Sequence, residues 1–379
     1  MSHVVILGAG FGGLAAATEL RAVLPENDRI TVVDRRDEFF VGWAKLWDLG
    51  GVRSLVDGTR SLRTLGDRGI TVERSEVQAI DPQSRTVRTS AGTLEADAVL
   101  VALGAGPSPA HRAWLDRDGA HDLYDHAALP AMHEALEAIR SGRVVVAILG
   151  GPFKCPPAPY EAALLVDERL RERGVRDDVE VVVVTPQPMT LPAAGVDASR
   201  YVASHLDQRG IALREASRVV DVGDGALNLD GGGEIAFDVL LGVPANVAPP
   251  VVAPLAGASG WIEPDRHTLA TSFDRVYAVG DCTHIPNALG ALPMAGVFAA
   301  AEGEVAARNI LADLGHGDGD RFDGHGHCFL ELPGRKVAFV QGDFYADPPA
   351  VELTDATDEL FAQKMAAERD LLDAWLPVR

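Results

Sequence analysis

Short runs of uninterrupted apolar residues recur along the chain, and segments with helically spaced apolar positions separate several of them. Such runs, when bounded by polar or glycine positions, are typical of buried strands. The predicted strands are residues 3–7, 29–34, 97–103, 143–149, 178–184 and 275–281. Helical patterns follow at residues 12–23, from about residue 162, at 292–309 and at 355–376. This alternation of strands and helices predicts an α/β fold.

The first strand, helix and second strand carry the spacing G-x-G-x-x-G at their first turn. Gly8 makes the tight turn, Gly10 lets a pyrophosphate approach, and Gly13 lets the helix pack closely on the strand. Asp34 ends the second strand about 20 residues later, where an acid accepts hydrogen bonds from a ribose. These four residues predict a dinucleotide site.

Two later segments are expected to complete that site. Gly104 lies in a small-residue turn after one strand, and Gly280 and Asp281 end another. Ligands of doubly wound sheets sit at the carboxyl ends of strands, so Asp281 is expected to bind a ribityl hydroxyl of a flavin. The helix predicted over residues 292–309 brings Ala295, Gly296 and its positive dipole end toward an electron-rich ring. The predicted cofactor is FAD.

A second β-α-β pattern is inserted into the first. Its strand at residues 143–149 runs into a turn that holds Cys155 and several prolines instead of glycines. No acid follows the strand at 178–184 to bind a ribose of NAD. A thiol at a helix N-terminus near a flavin indicates sulfur redox chemistry rather than hydride exchange with nicotinamide.

The fold class predicted is therefore α/β with two Rossmann-like dinucleotide-binding domains, the second inserted in the first, plus a small C-terminal region. The expected units are an FAD-binding domain at residues 1–106 and 259–314, an inserted domain at 107–258, and a C-terminal region at 315–379 that carries Cys328 and the last helix.

Composition narrows the classes of partner. The net charge of -21 argues against nucleic acid and anionic membrane surfaces as partners. No apolar stretch is long enough to predict a transmembrane helix, and the first strand follows Met1 too closely for a signal peptide. We therefore expect a cytoplasmic protein, with at most peripheral contact at the inner face of the membrane. Three cysteines are too few for a disulfide framework but allow one redox pair.

The chain resembles sulfide:quinone oxidoreductases and the flavin subunit of flavocytochrome c sulfide dehydrogenase, within the pyridine nucleotide-disulfide oxidoreductase superfamily. Beyond the glycine fingerprint, the residues that carry the resemblance are Lys154-Cys155, the segments at 158–161 and 125–127, and Cys328 before residues 337–340. The resemblance implies that Cys155 and Cys328 flank the flavin and carry sulfur between them. It also implies that electrons pass to a quinone, or to a cytochrome in the relative.

Two departures from the family pattern are visible. Many sulfide:quinone oxidoreductases have a third cysteine just before the segment 125–127, and residues 120–124 contain none. The last helix is short and acidic. We assign Lys364 to its polar side and Leu372 to its apolar side. The apolar side is expected to dock on the protein itself or on a second subunit. The electron acceptor, a quinone or another molecule, is left open by the sequence. The oligomeric state is open as well, and a homodimer is one alternative.

Each candidate catalytic residue has a plainer alternative. A helix N-terminus and Lys154 favour a Cys155 thiolate, whereas the alternative is an inert buried thiol. Cys328 follows His325 and His327, which suggests an imidazole proton carrier. A metal site and a flexible loop are the alternatives there, and we predict no metal.

Two further residues complete the candidates. His126 is a candidate general acid or base, and a surface or core histidine is the alternative. Cys282 is expected to pack near the flavin without a catalytic role.

The predicted function is an FAD-dependent oxidoreductase that oxidises sulfide or another small sulfur species through Cys155 and Cys328. The alternatives are a type II NADH dehydrogenase-like NAD(P)H reductase and a non-catalytic flavin-binding redox sensor. Bleaching of the flavin by sulfide, by NADH or by neither separates the three.

Overall fold

The computed structural model describes residues 1–378. The α-helices in this range are α1 (Phe11–Val23), α2 (Ala44–Leu49), α3 (Pro109–Leu115), α4 (Leu129–Ala138), α5 (Ala158–Glu172), α6 (Gly195–Gln208), α7 (Gly296–Asp313) and α8 (Asp358–Trp375).

The strands, also in chain order, are β1 (His3–Leu7), β2 (Arg29–Asp34), β3 (Glu38–Phe39), β4 (Arg60–Ser61), β5 (Thr71–Arg74), β6 (Val77–Asp81), β7 (Thr86–Thr89), β8 (Thr93–Glu95), β9 (Ala98–Val101), β10 (Gly106–Pro107), β11 (Ala120–Asp122), β12 (Gly142–Ile148), β13 (Val179–Val184), β14 (Ala212–Arg214), β15 (Val219–Gly223), β16 (Ala226–Leu229), β17 (Gly233–Ala236), β18 (Val239–Val243), β19 (Asn246–Val247), β20 (Val276–Ala278), β21 (Pro286–Asn287), β22 (Gly290–Ala291), β23 (His325–Leu332), β24 (Lys336–Asp343) and β25 (Ala350–Thr357).

Two five-stranded parallel sheets form the frame. The first has the order β20-β9-β1-β2-β5, and the second has the order β11-β18-β12-β13-β14. Strands β1, β9 and β20 are buried along their whole length, as expected for parallel strands covered on both faces. The two Rossmann-like cores confirm the predicted α/β fold class.

The first sheet takes its strands from residues 3–101 and 276–278, on either side of the second sheet, which takes all of its strands from residues 120–243. Helix α1 packs against α7 over the first sheet, although these helices are almost 300 residues apart. This arrangement is compatible with a split domain and an insert. The exact domain bounds stay a prediction.

The C-terminal region contains more sheet than the sequence suggested. Strands β23, β24 and β25 form an antiparallel sheet, and β25 was not predicted. The residues before Cys328, interpreted above as a loop or a metal site, belong to β23 from His325 onward. Their alternation of exposed and buried positions is the period of a strand with one covered face.

Two predicted helix starts were displaced. Helix α5 begins at Ala158 rather than near residue 162, because Pro157 and Pro159 are tolerated in a first turn, where backbone donors have no helical partner. Helix α7 begins at Gly296, so residues 292–294 are extended and lie before it. Among residues 1–378, no helix combines the length and the apolar character needed to cross a bilayer.

Candidate active site

The glycine turn after β1 has the shape of a phosphate cradle. Gly8 has a φ of +105°, and a β-carbon added to Gly13 would lie 1.9 Å from the Gly8 carbonyl oxygen. Gly10 has no atom within 4 Å of an added β-carbon, so its surface is open toward a ligand. Only the glycines allow this turn and this helix contact, and the open side fits a pyrophosphate at the N-terminus of α1.

Asp34 lies at the end of β2 with its carboxylate already engaged. One oxygen accepts from the Ala9 backbone N–H at 2.7 Å, and both oxygens accept from the Arg36 guanidinium. Burial raises the pKa of Asp34, but Arg36 more than offsets burial and holds it below its usual range. A ribose at this position would share the Asp34 carboxylate with Arg36. Arg36 was not predicted from the sequence.

The predicted flavin end of the site contains two carboxyl groups, the buried Glu302 and the partly exposed Asp281. A pocket is lined by residues that include Asp281, Met294, Phe298 and Glu302. Burial raises the pKa of Asp281, and Lys154 at 3.8 Å opposes that shift. Burial also raises the pKa of Glu302 to about 7, while its carboxylate accepts from the Gly280 N–H at 2.6 Å.

Glu302 was missed from the sequence, although a glutamate in the alanine-rich stretch of α7 was a visible signal. The predicted residues Gly104, Ala295 and Gly296 lie at the borders of this region. Gly104 has a φ of +64° and open space around it, and Ala295 and Gly296 start α7. The open glycine turn and the buried polar pocket fit an FAD.

Cys155 is attached through its backbone to the segment that leads into α7. Its N–H donates to the Met294 carbonyl at 2.7 Å, and Lys154 and Met294 form a parallel β-bridge. Its carbonyl accepts from the Ala158 N–H at 3.0 Å, where α5 begins. Cys155 has a φ of +45°, an uncommon value for a residue other than glycine, and such values cluster at functional sites.

Cys328 lies on β23, which packs against α5 just beyond Cys155. Burial raises the pKa of Cys328 well above its ordinary value, and Cys155 and Glu161 raise it further. Burial and then Glu161 raise the pKa of Cys155 to about 12. Both cysteines are free, and each keeps part of its surface accessible.

The pKa of Cys155 is thus shifted upward, opposite to the direction expected from the helix N-terminus, because desolvation and a buried carboxyl group dominate. Lys154 was expected to favour the thiolate, but its ammonium lies elsewhere. Its ammonium donates to the Ala105 carbonyl at 2.7 Å and faces Asp281. The cations that lower the pKa of Cys155 are Lys364 and Lys45.

A buried ionic network adjoins the two cysteines. Lys364 Nζ lies 2.7 Å from Glu331 Oε2 and 3.6 Å from Glu161 Oε1, and all three side chains are at most 2% exposed. The Trp47 indole N–H donates to Glu331 at 2.6 Å, and the Glu331 backbone N–H donates to Glu161 at 2.6 Å. Burial lowers the pKa of Lys364, but Glu331 and Glu161 more than offset this and raise it.

This network corrects the prediction for the last helix. The buried stripe of α8 consists of Lys364, Glu368, Leu372 and Trp375, so the assignment of Lys364 to an exposed polar side is wrong. The helix packs against β24 of the same chain. The apolar pattern of α8 alone did not reveal that Lys364 would lie inside the protein, beside the carboxylates of Glu161 and Glu331.

Lys45 is the second cation near the site, and sequence reasoning missed it as well. Its ammonium donates to the Tyr124 carbonyl at 2.6 Å, and the Tyr124 hydroxyl donates to the Lys154 carbonyl at 2.6 Å. Burial, followed by repulsion from Lys154, lowers the pKa of Lys45 to about 8. Tyr124 therefore ties α2 to the turn that carries Cys155.

The candidate histidines lie elsewhere. The His126 ring is 54% exposed and packs against Phe40, and its carboxylate neighbour is Asp125. His327 precedes Cys328 on β23, so the two side chains point to opposite faces of the sheet, which contradicts the predicted imidazole beside that sulfur. Within residues 1–378, no group of three or more His, Cys, Asp or Glu side chains is placed to hold a metal ion.

Cys282 is fully buried next to the first sheet. Its thiol contacts the Val279 and Val101 carbonyls, and burial raises its pKa to about 12. These contacts are those of a packed core thiol.

The corresponding turn of the second sheet is crowded at its first glycine and open at its second. A β-carbon added to Gly150, which follows β12, would lie 2.8 Å from the His111 ring, whereas one added to Gly151 would meet nothing within 4 Å. His111 accepts from the Ala245 N–H at 2.9 Å and stacks on Trp114 at 4.7 Å. An imidazole thus lies against the first position of this turn.

Comparisons with known proteins agree with this description. The sequence model of the family described as "Pyridine nucleotide-disulphide oxidoreductase" matches residues 2–303. A mitochondrial sulfide:quinone oxidoreductase of Dictyostelium discoideum is 23% identical over 358 residues, which cover 90% of this chain and 77% of the relative. A type II NADH:quinone oxidoreductase of Staphylococcus aureus is 22% identical over 373 residues, which cover 89% and 92%.

Among solved structures, the sulfide:quinone oxidoreductase of Aquifex aeolicus aligns over 100% of this chain and 96% of its own. The TM-score is 0.88 at 21% sequence identity, which establishes a shared fold. The expected likeness to sulfide:quinone oxidoreductases is confirmed. The chain belongs to the pyridine nucleotide-disulphide oxidoreductase family.

Proposed function

We propose that this protein is an FAD-dependent oxidoreductase that oxidises sulfide or another small sulfur species through Cys155 and Cys328. The electrons would pass to a quinone or another acceptor. The observation that carries the proposal is the packing of β23, which holds Cys328, against α5, which begins just after Cys155, with the Glu331 N–H donating to Glu161 at 2.6 Å. The two sulfide:quinone oxidoreductase relatives described above support the same substrate class.

FAD would be held by the glycine turn at Gly8, Gly10 and Gly13, by Asp34 together with Arg36, and by Asp281. When bound, it supplies an acceptor for the two electrons that sulfide loses on oxidation to zero-valent sulfur. The protein's own contribution is to hold the sulfur atoms and to manage their protons.

The cysteine pair would accept sulfide while it is joined as a disulfide. Hydrosulfide attacks one sulfur, a new S–S bond forms, the bond between the cysteines breaks, and the other cysteine leaves as a thiolate. Lys364 favours that thiolate because its positive charge lowers the pKa of both cysteines. In the absence of Lys364, burial and Glu161 would raise the pKa of the leaving thiol further still.

We infer that Glu161, which accepts from the Glu331 N–H at 2.6 Å and lies 3.6 Å from Lys364, exchanges protons in this cluster. Burial raises its pKa, and Lys364 opposes this shift, so its protonation responds to the charge around it. Glu161 also raises the pKa of both cysteines, as a carboxylate close to each of them does. His126 stays a predicted alternative, with contacts to Asp125 and Phe40 rather than to the sulfurs.

NADH oxidation is the second candidate, because a type II NADH:quinone oxidoreductase is among the relatives. Two observations argue against it. His111 packs against Gly150 in the second sheet's turn, and Thr185, not an acid, follows β13. Both features disfavour a nicotinamide dinucleotide.

Anaerobic rapid mixing of the FAD-loaded protein with sulfide or with NADH tests the proposal. We expect sulfide, and not NADH, to bleach the visible flavin band. Cys155→Ser and Cys328→Ser should each abolish bleaching by sulfide, whereas Cys282→Ala should retain it, since Cys282 is a core thiol. Bleaching by NADH alone refutes the proposal, and inertness to both donors favours the redox sensor.

A further inference from the structure

Lys154 precedes the reactive cysteine but is directed away from it. Its ammonium donates to the Ala105 carbonyl at 2.7 Å, one residue beyond the Gly104 turn of the first sheet. It also lies 3.8 Å from the Asp281 carboxylate, and the Lys154 and Asp281 side chains are 36% and 19% exposed. Lys154 therefore spans from the insert to the predicted flavin end of the first sheet.

The backbone fixes this position. Lys154 forms a parallel β-bridge with Met294, and Met294 lines the same pocket as Asp281. Helix α7 begins just beyond, with Ala295 as its N-cap and Gly296 as its first residue. Ala295 and Asp281 both line this pocket, so the positive end of the helix borders it directly, and the ammonium reaches its edge through Asp281.

We propose that Lys154 is a positioning residue for the flavin, which holds Asp281 in place and supplies the positive charge that stabilises electron-rich states of the ring. The inference rests on the proposed function only in taking FAD as the cofactor. Burial alone favours a protonated, neutral Asp281, and Lys154 opposes this. Loss of the ammonium would therefore change both the charge and the orientation of the carboxyl group that we assign to the ribityl chain.

Two measurements on the FAD-loaded protein test this role without sulfide turnover. Sulfite binds to oxidised flavin as an anion and bleaches its visible band, so its dissociation constant reports positive charge near the ring. The two-electron reduction potential, measured by equilibration with a reference dye, reports stabilisation of the reduced ring. The variants are Lys154→Met and Lys154→Arg, with Lys336→Met, an exposed lysine on β24, as the matched control.

We expect Lys154→Met to weaken sulfite binding at least about tenfold, and to lower the potential by about 30 mV, the equivalent of a tenfold change for a two-electron couple. Lys154→Arg and Lys336→Met should stay close to the wild type. Wild-type values for Lys154→Met in both measurements overturn the proposal.

If Lys154→Met is purified without FAD, Lys154→Gln keeps a donor for Ala105 and removes only the charge. Wild-type sulfite affinity in Lys154→Gln also overturns the proposal. If sulfide does not bleach the flavin of the wild-type protein, the proposed function is refuted. The sulfite affinity and the reduction potential of that flavin can still be compared with those of the Lys154 variants. The two failures are therefore distinguishable.

Discussion

Replacement of Lys364 by methionine should lower the stability of the folded protein, because Lys364 is the positively charged member of the buried network with Glu331 and Glu161. Lys364 is 1% exposed and neutralises Glu331 at 2.7 Å and Glu161 at 3.6 Å. Methionine fills a similar volume but leaves two carboxyl groups buried without a counter-charge. Removal of one partner from a buried ion pair costs about 3–5 kcal/mol, and we expect the free energy of unfolding to fall by that amount near pH 8.

The loss should depend on pH in a defined direction. Glu161 already has a raised pKa, and removal of Lys364 raises it further. A group whose folded pKa is raised favours the folded state when it is protonated and disfavours it as pH rises through that pKa. The defect of Lys364→Met should therefore be small near pH 5 and grow toward pH 8.

Chemical denaturation of the wild type, Lys364→Met and the exposed control Lys336→Met, each at pH 5 and pH 8, measures the effect. The double variant Lys364→Met with Glu331→Gln should recover part of the loss at pH 8, since one buried charge is removed with its partner. A free energy within about 0.5 kcal/mol of the wild type at both pH values, as is usual for a surface substitution, would refute the reasoning.

Two further outcomes follow from the site. Gly13→Ala should purify with little or no FAD, because its β-carbon would lie 1.9 Å from the Gly8 carbonyl oxygen, whereas Gly66→Ala, which meets nothing within 4 Å, should keep its flavin absorbance. A normal FAD content in Gly13→Ala would contradict the predicted cradle. In the reduced protein, alkylation of Cys155 by iodoacetamide, followed by mass spectrometry, should be slow at pH 8 and rise about tenfold per pH unit, because the pKa is raised to about 12. A rate that levels off below pH 9 would contradict this.

The features that the sequence predicted are those encoded locally. Gly8, Gly10 and Gly13 are close in the chain, and strands such as β1 are apolar throughout because both faces are covered. Cys155 and Cys328 were paired only through resemblance to a family, and that pairing stays a prediction. Local patterns of this kind were sufficient for the fold class and for the dinucleotide turn.

The electrostatics of the site could not be predicted in the same way. Trp47 and Glu331 are 284 residues apart, and Lys364 reads as a solvent-facing residue on an amphipathic helix. Only tertiary packing buries these groups together and thereby reverses the expected pKa shift of Cys155. Lys154 was assigned to the wrong neighbour because adjacency in sequence was taken for adjacency of side chains.

The attachment of Cys155 to Met294 has a consequence for motion between the two sheets. The Cys155 N–H to Met294 carbonyl hydrogen bond and the Lys154–Met294 bridge join the turn after β12 of the second sheet to the segment that precedes α7. A hinge opening between the sheets would have to break these backbone contacts. A rigid-body motion of the insert would therefore also shift Cys155 relative to the start of α7.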